Sequence, residues 1–243
     1  MSSYETFAKF YDSLTENVNY EVRNDYVSNF FSRYNENGKK ILDLACGTGT
    51  MTKFFVDKGY SVIGIDLSSD MLTVAKEKCP DTQFIKADMK HFSLTDNVDC
   101  CLCSLDSINH LTDIEDVDQC FKCVSEALNL GGIFIFDVNT PYKHNSVLAD
   151  NTFVFDEEDY FLAWDNNYIG DNTVEMFLDF FIFNGKNYER YSENFYEKAY
   201  TVEELKMCLD CNSFEIIGIY DELTQEEPND KSERIYFVCK KVK

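Results

Sequence analysis

The stretch Asp43-Leu-Ala-Cys-Gly-Thr-Gly-Thr50 decides the fold. It continues Ile41-Leu42, an apolar run of strand length, and leads into a helical segment through Phe54, Phe55 and Val56 that Gly59 stops. A strand that ends in small residues and opens a helix lets backbone N–H groups approach a ligand closely. Upstream, Phe7, Phe10, Tyr11 and Leu14 fall at i, i+3, i+4 and i+7, and Tyr26, Val27, Phe30 and Phe31 form a second stripe. Residues 1–36 therefore read as helical, a lid ahead of the first strand.

Downstream, strands and helices alternate. Val62 to Asp66 is a strand, followed by a helix capped by Ser68 or Ser69 with Met71, Leu72 and Ala75 inward. Phe84-Ile85 and Val98 to Leu105 are further strands. Thr112-x-x-Glu115 reads as a capping box for a helix to Asn129, which Gly131-Gly132 end before a strand from Ile133 to Val138. Strands apolar on both faces between helices imply βαβ units and a parallel sheet over 40–140. The rhythm breaks at 151–200, a segment dense in Phe and Tyr. Turn signals stand at Asn166-Asn167, Gly170-Asp171-Asn172 and Asn184-Gly185-Lys186, so the segment reads as an inserted antiparallel meander. Thr201-x-x-Glu204 is a second capping box, and strands at Phe214–Tyr220 and Arg234–Cys239 close the chain. The core thus spans 1–150 and 201–243, with the insertion at 151–200.

Composition narrows the partners. The chain has 243 residues, and 22 Lys+Arg stand against 44 Asp+Glu, a formal charge of −22. Such a field repels phosphate backbones and anionic lipid, so neither nucleic acid nor a membrane is an expected partner. No apolar run approaches the roughly 20 residues that span a bilayer. The N-terminus shows no basic stretch followed by an apolar one, as a signal peptide would. The two C-x-x-C spacings, Cys120/Cys123 and Cys208/Cys211, fall within helical patterns among apolar residues, so the ten cysteines read as buried thiols and no metal site is expected. Reduced thiols fit a cytoplasmic location.

Asp66 ends the second strand seventeen residues beyond Gly49. An acid there can accept hydrogen bonds from both hydroxyls of an adenosine ribose. Two ligands fit this frame, a nicotinamide dinucleotide and S-adenosylmethionine. The dinucleotide fingerprint needs a third glycine where Thr52 stands, and has no use for an acid at Asp43, which can instead meet the ammonium of an amino acid. Four ordered segments carry a resemblance: Ile41 to Gly49, Val62 to Leu72, Ala87-Asp88-Met89, and Leu130 to Asp137. They resemble the motifs of class I S-adenosylmethionine-dependent methyltransferases, with Ala45 where many members carry Gly.

The resemblance implies a Rossmann-like, seven-stranded, mostly parallel sheet of order 3-2-1-4-5-7-6. It implies cofactor contacts from Tyr11, Asp43, Ala45, Gly47, Gly49, Asp66, Leu67, Met71, Asp88, Met89 and Leu105. No Pro-Pro pair follows the fourth strand, which excludes the class that methylates nucleic-acid amines through an acidic or polar residue, Pro-Pro and an aromatic. Phe7 to Asp12, Ser104 to Leu111 and Phe195 to Thr201 are instead similar to small-molecule methyltransferases, including those that N-methylate amino-deoxysugars. That likeness points to Tyr11 and His110 as catalytic residues, with His110 accepting a proton. The expected reaction is methyl transfer to a small-molecule amine. The alternatives are a non-catalytic S-adenosylmethionine binder or a nicotinamide-dependent oxidoreductase. The aromatic insertion has two readings: a wall of the acceptor pocket through Trp164, Phe177, Phe181 and Tyr191, or the interface of a homodimer.

Overall fold

The computed structural model describes residues 11, 12, 15, 18–158 and 160–243. Phe7, Phe10 and Leu14 of the first apolar stripe lie outside the described residues, as does most of the segment read as a lid. Seven strands form the main sheet: β1 (Lys40–Leu44), β2 (Ser61–Asp66), β3 (Gln83–Lys86), β4 (Val98–Cys103), β5 (Leu128–Asn139), β10 (Phe214–Asp221) and β11 (Arg234–Lys241). Their spatial order is β3-β2-β1-β4-β5-β11-β10. Counting only this sheet's strands along the chain, that is 3-2-1-4-5-7-6. β11 runs antiparallel to both β5 and β10, and the other pairings are parallel.

Period-two alternation builds two apolar faces from the same strands. Leu42, Leu44, Cys101, Phe134, Phe136 and Phe237 point to one side, under α4 (Ile114–Ala127) and α5 (Val202–Cys211). Ile41, Cys100, Leu102, Ile135 and Val238 point to the other, under α1 (Tyr20–Tyr34) and α2 (Thr50–Asp57). Val27, Phe30 and Phe31 seat α1 in that second layer, so the second stripe of the N-terminal region belongs to the core packing. α3 (Ser69–Lys78) is capped by Ser68, whose hydroxyl accepts from the Met71 N–H at 3.3 Å.

The insertion is a four-stranded antiparallel sheet, β6 (Thr152–Asp156), β7 (Tyr160–Gly170), β8 (Thr173–Phe183) and β9 (Tyr188–Lys198). Asn184-Gly185 makes the β8–β9 turn, with Gly185 at φ 88°. Asn166-Asn167 is not a turn but lies inside β7. The buried Asn166 is tolerated there because its backbone N–H and its side-chain amide both donate to the Asn151 carbonyl. The capping box at Thr201–Glu204 is present. The one at Thr112–Glu115 is not: α4 starts at Ile114 behind Asp113, which puts Glu115 one position short of the reach that the box needs.

All ten cysteines are free, and all but Cys211 are buried. No described helix is long and apolar enough to cross a membrane, and no described cluster of His, Cys, Asp and Glu could hold a metal ion.

Candidate active site

The turn after β1 is left-handed at three places: Ala45 (φ 57°), Gly47 (φ 53°) and Gly49 (φ 75°). Open space lies where a Gly47 side chain would begin, whereas a Cβ at Gly49 would stand 2.9 Å from that of Ala75. Gly47 thus leaves its backbone bare toward a cleft, and Gly49 lets α2 and α3 approach each other. The cleft is open to solvent and is lined by Tyr11, Tyr20, Asp43, Ala45, Gly47, Ser104 and Leu105, among others.

Asp43, at the end of β1, is buried, and its Oδ2 accepts from Thr52 Oγ1 at 2.5 Å. Burial pushes its carboxyl up to about 7, and the nearby charge of Asp66 pushes the same way. Thr52, where a dinucleotide fold carries its third glycine, therefore holds the acid in place. Asp66 accepts from the Gly47 N–H and the Ser68 N–H, both at 2.8 Å, and burial raises its carboxyl. The Ala87 N–H donates to the Asp66 carbonyl at 3.1 Å, which brings Asp88 and Met89 to the neighbouring strand end. Asp88 caps the following turn by accepting from the Lys90 N–H. Leu67 is 65% exposed, and Met71 is half-buried at the start of α3. Of the expected contacts, then, Tyr11, Asp43, Ala45, Gly47 and Leu105 share one cleft, and Asp66 is bonded to its floor. Leu67, Met71, Asp88 and Met89 lie along the strand ends beside it.

Asp12, which sequence reading passed over, is bonded to this turn. Its carboxylate accepts from Thr48 Oγ1 at 2.6 Å and Thr50 Oγ1 at 3.1 Å, and pairs with Lys78 at 2.5 Å. Burial raises the phenol of the adjacent Tyr11, reinforced by Tyr20, Asp106 and Asp66. Tyr11 stays neutral at physiological pH and can orient a ligand by hydrogen bonding without taking up a proton.

At the end of β4, Leu105 (φ 57°) and Asp106 (φ 53°) are consecutive left-handed residues with side chains, a costly conformation. Asp137 of β5 holds both by accepting the Leu105 N–H at 2.9 Å and the Asp106 N–H at 3.1 Å. Arg234 of β11 pairs with Asp137 and, at 3.2 Å, with Asp106. Burial alone would raise Asp106; Arg234, Lys143 and His110 outweigh it and hold that carboxyl low. Beyond this turn the 3₁₀ segment Ser107–His110 presents His110, whose side chain is 45% exposed and whose ring lies 5.2 Å from that of Phe195. Asn109 locks the segment in place by donating to the carbonyls of Asn139 and Lys198. His91 is exposed and outside the site; His144 is buried behind His110, beside Glu197.

Register sorts the aromatic residues of the insertion. Val174, Met176, Leu178, Phe180 and Ile182 of β8 form its buried face, and cross-strand pairing places Trp164, Tyr191, Phe195 and Glu197 on the same side. Phe195 and Glu197 make this the side that meets His110. Phe177 and Phe181 belong to the opposite face, with Phe161. On the inner face Trp164 Nε1 and Glu193 Oε1 are buried without hydrogen-bond partners among the described residues. Burial raises the Glu193 carboxyl to about 7.

The donor set fits S-adenosylmethionine: a bare glycine backbone, a buried acid awaiting a cation, and a second acid at the next strand end. Residues 41–132 match a family model described as a methyltransferase domain. A curated relative from Bacillus subtilis, named "Putative methyltransferase YqeM", is 33% identical over 99% of this chain and 98% of its own length. A solved S-adenosylmethionine-dependent methyltransferase from Clostridium acetobutylicum has 32% identity and a TM-score of 0.91, covering 99% of both chains. A shorter match, 30% identical over 45% of each chain, is to dTDP-3-amino-3,4,6-trideoxy-alpha-D-glucopyranose N,N-dimethyltransferase of Streptomyces venezuelae. Fold, cleft and relatives agree that this chain belongs to the S-adenosylmethionine-dependent methyltransferases. The nicotinamide and non-catalytic alternatives are thereby set aside, in keeping with the Thr52–Asp43 bond.

Proposed function

We propose that this methyltransferase acts on an amine nitrogen of a small-molecule acceptor, with His110 as the proton acceptor. The observation that carries the reading is the position of His110: half-exposed, at the end of the short segment that follows the strained turn bordering the cofactor cleft, and against the inner aromatic face of the insertion. The amino-sugar activity named for the Streptomyces relative supports it. Bound S-adenosylmethionine would supply a methyl carbon on a sulfonium: an amine lone pair attacking it in line forms the N–C bond as the C–S bond breaks, with S-adenosylhomocysteine as the leaving group. Gly47 and Asp43 hold the amino acid end, Asp66 the ribose, and Asp88 and Met89 the adenine, with Ala45, Leu67, Met71 and Leu105 packing around them. Tyr11 orients the amine through its neutral hydroxyl. His110 takes the proton that a bound ammonium must lose before its nitrogen has a lone pair to offer.

In this reading the acceptor lies on the inner face, where Trp164 and Tyr191 stand and where the Trp164 N–H and Glu193 Oε1, without partners among the described residues, give it polar anchors. Phe177 and Phe181 line no part of that wall. The homodimer expected through the insertion would use the outer face, where Val154, Phe177, Phe183, Tyr188 and Tyr196 are exposed.

The cofactor part is tested by calorimetry with S-adenosylhomocysteine. Asp66→Ala is expected to weaken binding tenfold or more, about 1.4 kcal/mol, and an unchanged affinity in a folded variant would remove the ribose clamp. The acceptor part is tested by release of S-adenosylhomocysteine across dTDP-linked amino sugars and simpler amines. On any acceptor that turns over, His110→Ala should lower kcat by about 100-fold or more, leaving affinity for S-adenosylhomocysteine within twofold. Unchanged kcat in both His110→Ala and Tyr11→Phe would refute the catalytic assignment.

A further inference from the structure

We propose that Glu197 of β9 is the positioning carboxylate of His110: it fixes the imidazole and stabilises the imidazolium formed when His110 takes up a proton. This rests on the reading of His110 above. Glu197 is 4% exposed, a rare setting for a carboxylate, and its backbone is locked in the β8–β9 ladder opposite Val174. Its two oxygens face different partners. Oε2 accepts from Asn139 Nδ2 at 3.3 Å and stands 3.7 Å from His144 Nε2. Oε1 stands 3.8 Å from His110 Nε2.

His144 shows why Oε1 is available. The Asn172 carbonyl lies 2.8 Å from His144 Nδ1, and a carbonyl only accepts, so Nδ1 carries the hydrogen. His144 is fully buried and its Nε2 has no hydrogen-bond partner among the described residues, so it serves as a fixed wall behind Oε2. Asn139 is fixed as well. Its amide donates to both Asp106 and Glu197, and its Oδ1 accepts from Lys143 at 3.0 Å. The carboxylate is thus held from behind, with one oxygen aimed at the imidazole that borders the acceptor face.

A carboxylate opposite Nε2 sets the hydrogen on that nitrogen and the lone pair on Nδ1. Loss of the acceptor's proton then breaks its N–H bond and forms Nδ1–H on His110. Glu197 remains unprotonated, and the positive charge developed on the ring faces it. The charged groups around His110 are Asp106 and Asp66 on the cofactor side, with Lys143 and Arg234 beside Asp106, and Glu197 on the insertion side. Among the described residues, only Glu197 comes within ion-pair distance of the ring.

The test follows the ring protons of the three histidines by NMR across pH, in the complex with S-adenosylhomocysteine. Glu197→Gln keeps the shape and an oxygen for Asn139 but loses the charge. The proposal expects the His110 midpoint to fall by half a unit or more in that variant, with exposed His91 unmoved. Glu193→Gln, four residues along the same strand face, should leave His110 unchanged. An unmoved His110 midpoint, or an equal fall with Glu193→Gln, overturns the proposal.

Turnover supplies a second arm wherever an acceptor has been found. If Glu197 acts through His110, Glu197→Gln lowers kcat at least tenfold in the wild-type background and less than twofold in His110→Ala. Equal losses in the two backgrounds would mark Glu197 as merely structural. A fully active His110→Ala would instead sink the reading of His110, and the NMR arm keeps the two failures apart.

Discussion

Asp137→Ala is expected to destabilise the protein by about 3–5 kcal/mol, the usual cost of removing one partner from a buried ion pair. At this chain length that corresponds to a drop in Tm on the order of 10 °C. Two losses combine. Arg234, with 9% of its side chain exposed, keeps only Asp106 and the more distant Glu222, at 3.5 Å, among the described residues. Leu105 and Asp106 lose the acceptor that holds their N–H groups, and two left-handed residues with side chains cost about 1–3 kcal/mol each when nothing over-determines them. Asp137→Asn, which preserves the shape and one acceptor oxygen, should fall between wild type and Asp137→Ala. Urea unfolding checks the series, and a loss below 1 kcal/mol for Asp137→Ala would show that the turn holds itself.

That clamp was hidden in the sequence for a physical reason. Asp137 ends an apolar strand and Arg234 opens another almost a hundred residues later, and only the antiparallel placement of β11 against β5 brings them together. A lone acid in Ile133 to Val138 and an arginine beginning the last strand were the available signals. The same holds for Glu197: it lies in the segment Phe195 to Thr201, which was singled out only by resemblance, and its burial follows from how the insertion docks on Asn109, not from local pattern. The turn after β1 was legible because its demands are local. Small residues, a strand before and a helix after fixed the geometry of Gly47, and the acid at Asp66 lies one βαβ unit away. The sheet order was legible through resemblance to a family, whereas the faces of the insertion were not. Both faces of β8 carry Phe, so composition could not assign Phe177 and Phe181 to the outer side; register did. Asn166-Asn167 misled because asparagine favours turns only when no backbone acceptor is in place to satisfy its amide.

Cofactor binding is expected to depend on pH through Asp43. In the free protein burial holds this carboxyl at about 7, against 3.8 for an exposed aspartate, and the hydrogen bonds from Thr52 offset only part of that rise. Protonation therefore favours the free folded state: the contribution is fully present below the unfolded value and is lost as pH rises from 3.8 through about 7. A ligand ammonium placed beside Asp43 reverses the balance by favouring the ionised form. Binding of S-adenosylhomocysteine should then be tight and independent of pH above about 7. Below that it should weaken by about tenfold per pH unit, until the pKa of the bound state is reached. Calorimetry in buffers of different ionisation enthalpy should show close to one proton released per site at pH 6, and almost none at pH 8. Asp43→Asn carries no proton to lose, so it should bind weakly and without this slope. Raised burial alone would give the same titration in the free protein but no release on binding, so it is the released proton that places the ammonium at Asp43. A wild-type dissociation constant that stays flat from pH 5.5 to 8, with no proton released, would mean that the amino acid end of the cofactor sits elsewhere.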